Sequence, residues 1–97
     1  MATYVTLMHY TDQGIRKIKE GPARLDAAKK AFQAGGAEIK AFYLALGRYD
    51  AVCIIEAPND ETATKLALGT GALGNVRSET MRVFSEAEYR KLIAGLP

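Results

Sequence analysis

Five side chains in this sequence are considered first for acid–base, ligand or metal chemistry, and they are spread along the chain. They are two carboxylates, a histidine, a thiol and a guanidinium: Asp50, Glu56, His9, Cys53 and Arg82. Burial raises the pKa of a carboxylate and a nearby cation lowers it, so a carboxylate can be tuned towards either acid or base work. The candidate catalytic residues are therefore Glu56, Asp50 and His9, and their chemistry would be proton transfer.

The residue types for metal or nucleophile chemistry are nearly absent. One histidine and one cysteine cannot build a zinc cluster within the chain, and no nucleophile elbow accompanies His9. We expect neither a metal nor a cofactor. Three alternatives stay open for His9: a structural side chain, a proton-transfer or ligand contact, and an axial haem ligand. Cys53, flanked by apolar residues, is expected to be an inert core side chain.

Composition indicates one ordinary globular domain over residues 1–97. Hydrophobic residues make up 48% of the 97 residues, charged residues 25%, and the formal charge is +2. This balance argues against a nucleic-acid or polybasic membrane surface. The N-terminus has no signal-peptide pattern and no apolar run approaches 18 residues, so we expect a cytoplasmic protein.

Along the chain, the spacing of apolar residues changes several times between the spacing typical of strands and the spacing typical of helices. It predicts strands over 3–10, 37–46, 49–58 and 76–84, and helices starting near Ile15, after Pro58 and after Ser85. Within the first helix, Gly21-Pro22 predicts a kink or a restart with Pro22 at the first helical position. Ser85 and Glu88 form a capping box for a short C-terminal helix. The order is β-α-β-β-α-β followed by that helix.

A turn aligns the second and third strands. Gly47-Arg48 is typical of a two-residue type II′ hairpin, which would pair Leu46 with Tyr49, Leu44 with Ala51 and Phe42 with Cys53. These side chains then share one face, with Ile55. The opposite face holds the side chains that alternate with these along the two strands: Ile39, Ala41, Tyr43, Asp50, Val52, Ile54 and Glu56. Both faces are thus rich in apolar residues.

Residues Gly69 to Gly74 match the G-x-G-x-x-G pattern of dinucleotide-binding loops, but in the wrong context. That motif follows a strand and opens a helix, so that the phosphate meets the helix N-terminus. Here the glycines follow a helix and precede a strand. We expect glycines 69, 71 and 74 to end the helix and form a loop.

The element order is that of a ferredoxin-like α+β fold, in which both main helices cover one face of a four-stranded antiparallel sheet. The bare face would be apolar, so we expect two copies to associate sheet to sheet as a homodimer. The residues expected on that inner face include a polar set with candidate ligand-binding roles: Tyr43, Asp50, Glu56, Arg82 and Thr6, alongside Ser78 and Thr80. On the first strand, Tyr4, Thr6, Met8 and Tyr10 are expected to point inwards and His9 away. Two acidic residues on this face argue against RNA binding, since they would repel phosphate.

Several short motifs, in their order and spacing, resemble the GYD domain family. They are Gly47-Arg48-Tyr49-Asp50, then Glu56 to Asp60, with Thr11 to Gly14 and Met81 to Phe84 at similar relative positions. The resemblance covers nearly the whole chain. It implies a ferredoxin-like domain of the dimeric α/β barrel superfamily, with two sheets around a central cavity, and it implies no settled activity.

Three classes of function remain open from the sequence. The first is a homodimer that binds or senses a small apolar or aromatic molecule between its sheets. The second is a cofactor-free enzyme resembling a monooxygenase or isomerase, which needs a base such as Glu56 beside an open cavity. The third is a structural or interaction module, whose cavity would be filled by side chains.

Overall fold

The computed structural model describes residues 1–97 and contains four strands, four α-helices and one 3₁₀ turn. In chain order these are β1 (Ala2–Tyr10), α1 (Asp12–Arg16), the 3₁₀ turn (Ile18–Glu20), α2 (Gly21–Ala34), β2 (Glu38–Leu44), β3 (Ala51–Ala57), α3 (Asp60–Ala72), β4 (Val76–Val83) and α4 (Glu86–Ala94). The predicted β-α-β-β-α-β order with an additional C-terminal helix is confirmed.

The strands form one sheet in the order β2-β3-β1-β4, with every neighbouring pair antiparallel. Successive side chains of a strand point to opposite faces. Tyr4, Cys53 and Ile55 pack in a common core with Phe32 of α2 and Ala63 of α3, which places both helices on one face. The expected α+β architecture, with helices on one face and the other face bare, is therefore observed.

The core under the helices is made of few and mostly small side chains. Its buried members are Tyr4, Phe32, Ala37, Cys53, Ile55, Ala57 and Ala63. No large side chain is completely buried anywhere in the chain. The helix layer therefore covers the sheet without filling all the space beneath it.

The first connection ends in a helix restart. α1 begins at Asp12, earlier than the predicted Ile15, because the Thr11 hydroxyl caps it by accepting the Gly14 N–H. After the 3₁₀ turn, α2 begins at Gly21 with Pro22 in its first turn, where the missing N–H costs nothing. Of the two alternatives, a kink or a restart, the structure shows the restart, one residue before Pro22.

The β2–β3 hairpin has two of the three predicted pairs but a longer loop, in which Leu46 and Tyr49 do not pair. Phe42 pairs with Cys53 and Leu44 with Ala51, as the sequence predicts. The strands stop at Leu44 and Ala51, so six residues connect them rather than a two-residue turn. Gly47 has φ +132° in this loop, a conformation that favours glycine.

A bulge at Lys40 overturns the predicted orientation of Ile39. The register shifts between Ile39 and Ala41, since the extra residue is left without a partner. Ile39 consequently pairs with Ile55 and packs against the core under the helices. It does not lie on the bare face.

α3 is longer than predicted, whereas α4 begins as expected. Asn59 caps α3 by accepting the Thr62 N–H, and the helix continues through Gly69 and Gly71 to Ala72. Of the three glycines, only Gly74 lies beyond the helix, in the loop before β4, and its φ is +85°. The G-x-G-x-x-G segment thus lies largely within a helix and does not open one. Ser85 and Glu88 form the predicted capping box of α4.

α4 extends away from the rest of the molecule. Every residue of this helix except Glu88 is exposed. Its large apolar side chains Tyr89, Leu92 and Ile93 are 58%, 53% and 50% exposed. The molecule is correspondingly elongated, with extents of 52 × 31 × 18 Å.

Candidate functional site on the open face of the sheet

The face of the sheet opposite the helices, here called the open face, carries the alternate residues of all four strands. The register places Val5 beside Ile54 and Met81, and Leu7 beside Val52 and Glu79. Val52 also pairs with Tyr43, and Ile54 with Ala41. The centre of the open face is therefore a continuous apolar patch, as the sequence predicts for β3.

A polar cluster occupies one end of this patch. The His9 ring lies against the Tyr49 ring, with centroids 4.9 Å apart and planes tilted by 36°. The Tyr49 hydroxyl donates to Glu79 Oε2 at 3.1 Å, and this hydrogen bond raises the pKa of Tyr49. Arg77 is the cross-strand partner of His9. The cluster joins a titratable imidazole, a phenol and a carboxylate beside apolar surface.

The sequence interpretation misses this cluster because it pairs Tyr49 with Leu46 and orients β1 and β4 the wrong way round. The one usable signal was the predicted hairpin loop, which brings Tyr49 beside the end of β3. That loop is held against β1 by Asp50, whose carboxylate accepts the Tyr10 N–H at 2.9 Å. The Asp50 N–H in turn donates to the Met8 carbonyl at 2.8 Å. Asp50 thus fixes the position of the neighbouring Tyr49.

Glu56 lies on the open face at the opposite end from His9. It pairs with Thr3 of β1, whereas His9 lies six residues farther along the same strand. At about 3.3 Å per residue this separation is about 20 Å. The candidate catalytic residues Glu56 and His9 are therefore not brought together within one chain. Glu38, the other neighbour of Glu56, is a second carboxylate and is paired with Lys40 at 3.8 Å.

Two predicted ligand-binding residues lie on the helix side of the sheet, not on the open face. Thr6 is buried there and its hydroxyl is 3.0 Å from that of Thr80. The Arg82 guanidinium lies over the rings of Tyr4 and Phe84, at 5.8 and 4.3 Å from their centroids. It occupies an open groove of about 740 Å³ between α3 and β4. The predicted inner-face positions of Thr6 and Arg82, and of Ser78 and Thr80 with them, are wrong.

The physical reason is a misassigned alternation in β1 and β4. Tyr4 and Met8 were expected to point inwards, but both pack in the core under the helices, and His9 lies on the open face instead. Since the side-chain period of a strand is two, choosing the wrong face moves every residue of that strand at once. The polar tip of Tyr4 is accommodated under α3, where its hydroxyl donates to Asp60 Oδ1 at 2.5 Å. Tyr43 is on the open face as predicted and is 62% exposed.

Cys53 is the one thiol and it faces the core. Burial raises its pKa to about 11, so it is a neutral thiol at physiological pH. Its Sγ lies 3.6 Å from Met8 Sδ. No three residues among the histidine, cysteine, aspartate and glutamate side chains come together in a way that could hold a metal ion.

These features define a ferredoxin-like α+β domain whose sheet has one covered and one uncovered face. Two solved structures from Mycobacterium tuberculosis, the leucine response regulatory protein and a feast or famine regulatory protein complexed with L-methionine, share this fold. Their TM-scores are 0.65 and 0.67, with 14% identity each, and 87% and 88% of this chain is covered. The chain spans about half of each regulator, 51%.

The family is shown by the match of the GYD domain model to residues 4–93: the chain belongs to the GYD domain family. A relative from Thermus thermophilus, described as a glutamine synthetase and cystathionine beta-lyase binding protein, is 29% identical over 97 residues. The match covers 99% of both chains. In the structure, none of the helices combines the length and the apolar character that crossing a bilayer requires.

Proposed function

We propose that this GYD domain is a binding module that works as a homodimer, with two open faces opposed and a small apolar or aromatic molecule held between them. The observation that carries the proposal is the continuous apolar patch of Val5, Leu7, Val52, Ile54 and Met81 on a face that no helix covers. A monomer seldom exposes a patch of this kind. At about 25 cal/mol per Å², covering a few hundred Å² stabilises association by several kcal/mol before its entropic cost.

The polar end of the patch would orient the ligand. His9, Tyr49 and Glu79 offer a hydrogen-bond donor and acceptors next to apolar surface. Ligand sites typically combine an apolar lining with a few polar groups of this type. Tyr43, which neighbours Val52, would contribute an aromatic contact from the other side. A molecule with one polar group on an apolar body fits this pattern.

Sedimentation velocity tests the dimer. We expect the wild-type chain to sediment as a dimer at micromolar concentration and the Ile54→Glu variant as a monomer, because the new charge would be buried without a partner. Leu68→Glu is the matched control, since Leu68 is 69% exposed on α3, on the helix side. A wild-type monomer at these concentrations would overturn the proposal.

Native mass spectrometry of freshly purified protein tests the ligand. We expect a dimer with extra mass that is lost on denaturation, and loss of that mass in a His9→Ala, Tyr49→Phe double variant that remains dimeric. A Tyr89→Phe variant, altered on the exposed α4, should keep the mass. A dimer that never carries additional mass would favour the structural module over the ligand-binding one.

A second candidate function is the binding of a metabolic enzyme, favoured by two observations. One is the name of the Thermus relative, which describes it as binding glutamine synthetase and cystathionine beta-lyase. The other is α4, which presents Tyr89, Leu92 and Ile93 to solvent. An amphipathic helix of this type can insert its apolar side chains into a groove of a partner protein.

Biolayer interferometry with purified glutamine synthetase tests this second candidate. We expect binding by the wild type, about tenfold weaker binding by Leu92→Glu, and unchanged binding by Arg90→Glu on the same helix. No binding by the wild type, or equal losses in the two variants, would contradict a role for the apolar residues of α4.

A further inference from the structure

A second unfilled space lies on the helix side of the sheet, next to the groove that holds Arg82. It is a partly enclosed cavity of about 530 Å³ between the sheet and the two long helices. Met8, Cys53 and Ile55 line its sheet side, and Leu25, Phe32 and Leu66 line its helix side. Its volume lies within the range of about 300 to 1,000 Å³ that small-molecule sites have.

Small residues of both long helices border the cavity. Ala27, Ala28 and Ala31 of α2, and Ala67 and Gly69 of α3, all border it. In a well-packed domain larger side chains would fill this space. Most of its lining is apolar, so an apolar molecule that enters it gains dispersion contacts.

The charges around the cavity are all of one sign. Arg24 and Lys65 are its charged lining residues, and no aspartate or glutamate borders it. The Lys65 side chain is 75% exposed and paired with Glu61 at 3.2 Å, so its ammonium lies outside. The Arg24 side chain is only 23% exposed. Arg24 is therefore the cation positioned to meet a bound anion.

Not all N–H donors of the Arg24 guanidinium are used in hydrogen bonds within the protein. Two of its five donors are used by the Gly14 and Lys17 carbonyls, each at 3.1 Å. The Glu20 carboxylate forms an ion pair with the guanidinium at 3.9 Å, which is longer than a hydrogen bond, and the Glu20 side chain is 65% exposed. The carbonyls hold the guanidinium in place and leave three N–H groups, enough for a carboxylate.

We propose that this cavity binds a monocarboxylic acid with an apolar tail, with the tail between α2, α3 and the sheet and the carboxylate at Arg24. Thr6, a predicted ligand-binding residue, borders the same cavity. The site is complete within one chain. It is thus separate from the open-face site, and either can fail without the other.

Isothermal titration with decanoate and decanol tests the role of Arg24. We expect wild type to bind decanoate at least about tenfold more tightly than decanol, because a hydrogen bond to a charged group is stronger than one to a neutral hydroxyl. Arg24→Gln should abolish this preference, whereas Lys29→Gln on the same helix should keep it. No binding of decanoate by the folded wild type, or a preference that survives Arg24→Gln, would overturn the proposal.

Filling the cavity tests its location. Ala28→Phe, and independently Ala67→Phe from the opposite wall, should each reduce decanoate binding at least about tenfold. Ala23→Phe, at an exposed position of α2 outside the cavity, should not. Circular dichroism identifies any variant that fails to fold. Ile54→Glu should lose the dimer and keep decanoate binding; loss of decanoate binding in Ile54→Glu alone would place the ligand on the open face and refute the cavity site.

Discussion

At the scale of single residues, burial makes Cys53 a poor nucleophile. Its pKa of about 11 means that the reactive thiolate is scarce at neutral pH. We expect alkylation by iodoacetamide at pH 7.5 to be more than about a hundredfold slower in the folded protein than after unfolding in urea, where the pKa returns to about 8.5. The folded-state rate should keep rising up to pH 10. A rate that levels off near pH 8.5 would contradict this.

The Tyr4 hydroxyl is another buried group whose partner is defined. Tyr4 is 3% exposed and donates to Asp60, and burial followed by this hydrogen bond raises its pKa. We expect Tyr4→Phe to lower the free energy of unfolding by about 1 kcal/mol in urea titrations. Tyr49→Phe removes a more exposed hydrogen bond and should lower the free energy of unfolding by less. Equal losses would mean that the Tyr4 bond contributes nothing beyond a surface contact.

Residue types alone identified part of the candidate site. Four side chains are recognisable from the sequence as acid–base or hydrogen-bonding groups: His9, Tyr43, Asp50 and Glu56. Of these, Tyr43 and Glu56 lie on the open face as predicted. The pairing of Tyr49 with Glu79 was not recognisable, because it joins a loop to a strand 30 residues away. A contact of that separation depends on strand orientation, and no local pattern encodes it.

At the scale of elements, the packing of α1 depends on one glycine. A Cβ atom on Gly14 would lie 2.0 Å from the Asn75 carbonyl oxygen, in the loop before β4. We expect Gly14→Ala to lower the free energy of unfolding by at least about 2 kcal/mol, since backbone would have to move. Gly69→Ala, inside α3 with nothing within 4 Å, should raise it by about 0.5 to 1 kcal/mol. Thermal and urea unfolding of both variants measure this contrast; a neutral Gly14→Ala would contradict the close approach.

Element order was predictable and strand orientation was not, for reasons visible in each strand. In β3 the alternation is decisive, because Ala51, Cys53, Ile55 and Ala57 are buried while the residues between them are half-buried. In β1 both sets contain apolar residues, and in β4 both sets contain polar ones, so the pattern could not select a face. The bulge at Lys40 changes the alternation without any glycine or proline to signal it.

At the scale of the whole molecule, a proposed dimer makes stability depend on concentration. Unfolding of a dimer releases two chains, so mass action favours the folded state as protein is added. We expect a hundredfold rise in concentration to raise Tm by about 5 to 8 °C in the wild type. Ile54→Glu, which would prevent face-to-face association, should melt at one temperature throughout. A wild-type Tm that does not change with concentration would contradict the dimer.

The bulge at Lys40 also bears on how the sheet avoids aggregation. β2 is an outer strand, and an unpaired strand edge is a template on which other chains can add and grow into fibrils. The bulge interrupts the regular spacing of backbone hydrogen-bond donors and acceptors along β2, and Glu38 and Lys40 place charges beside them. An incoming strand would meet mismatched hydrogen bonds and a charged rim. Addition of another chain at the β2 edge is thereby opposed.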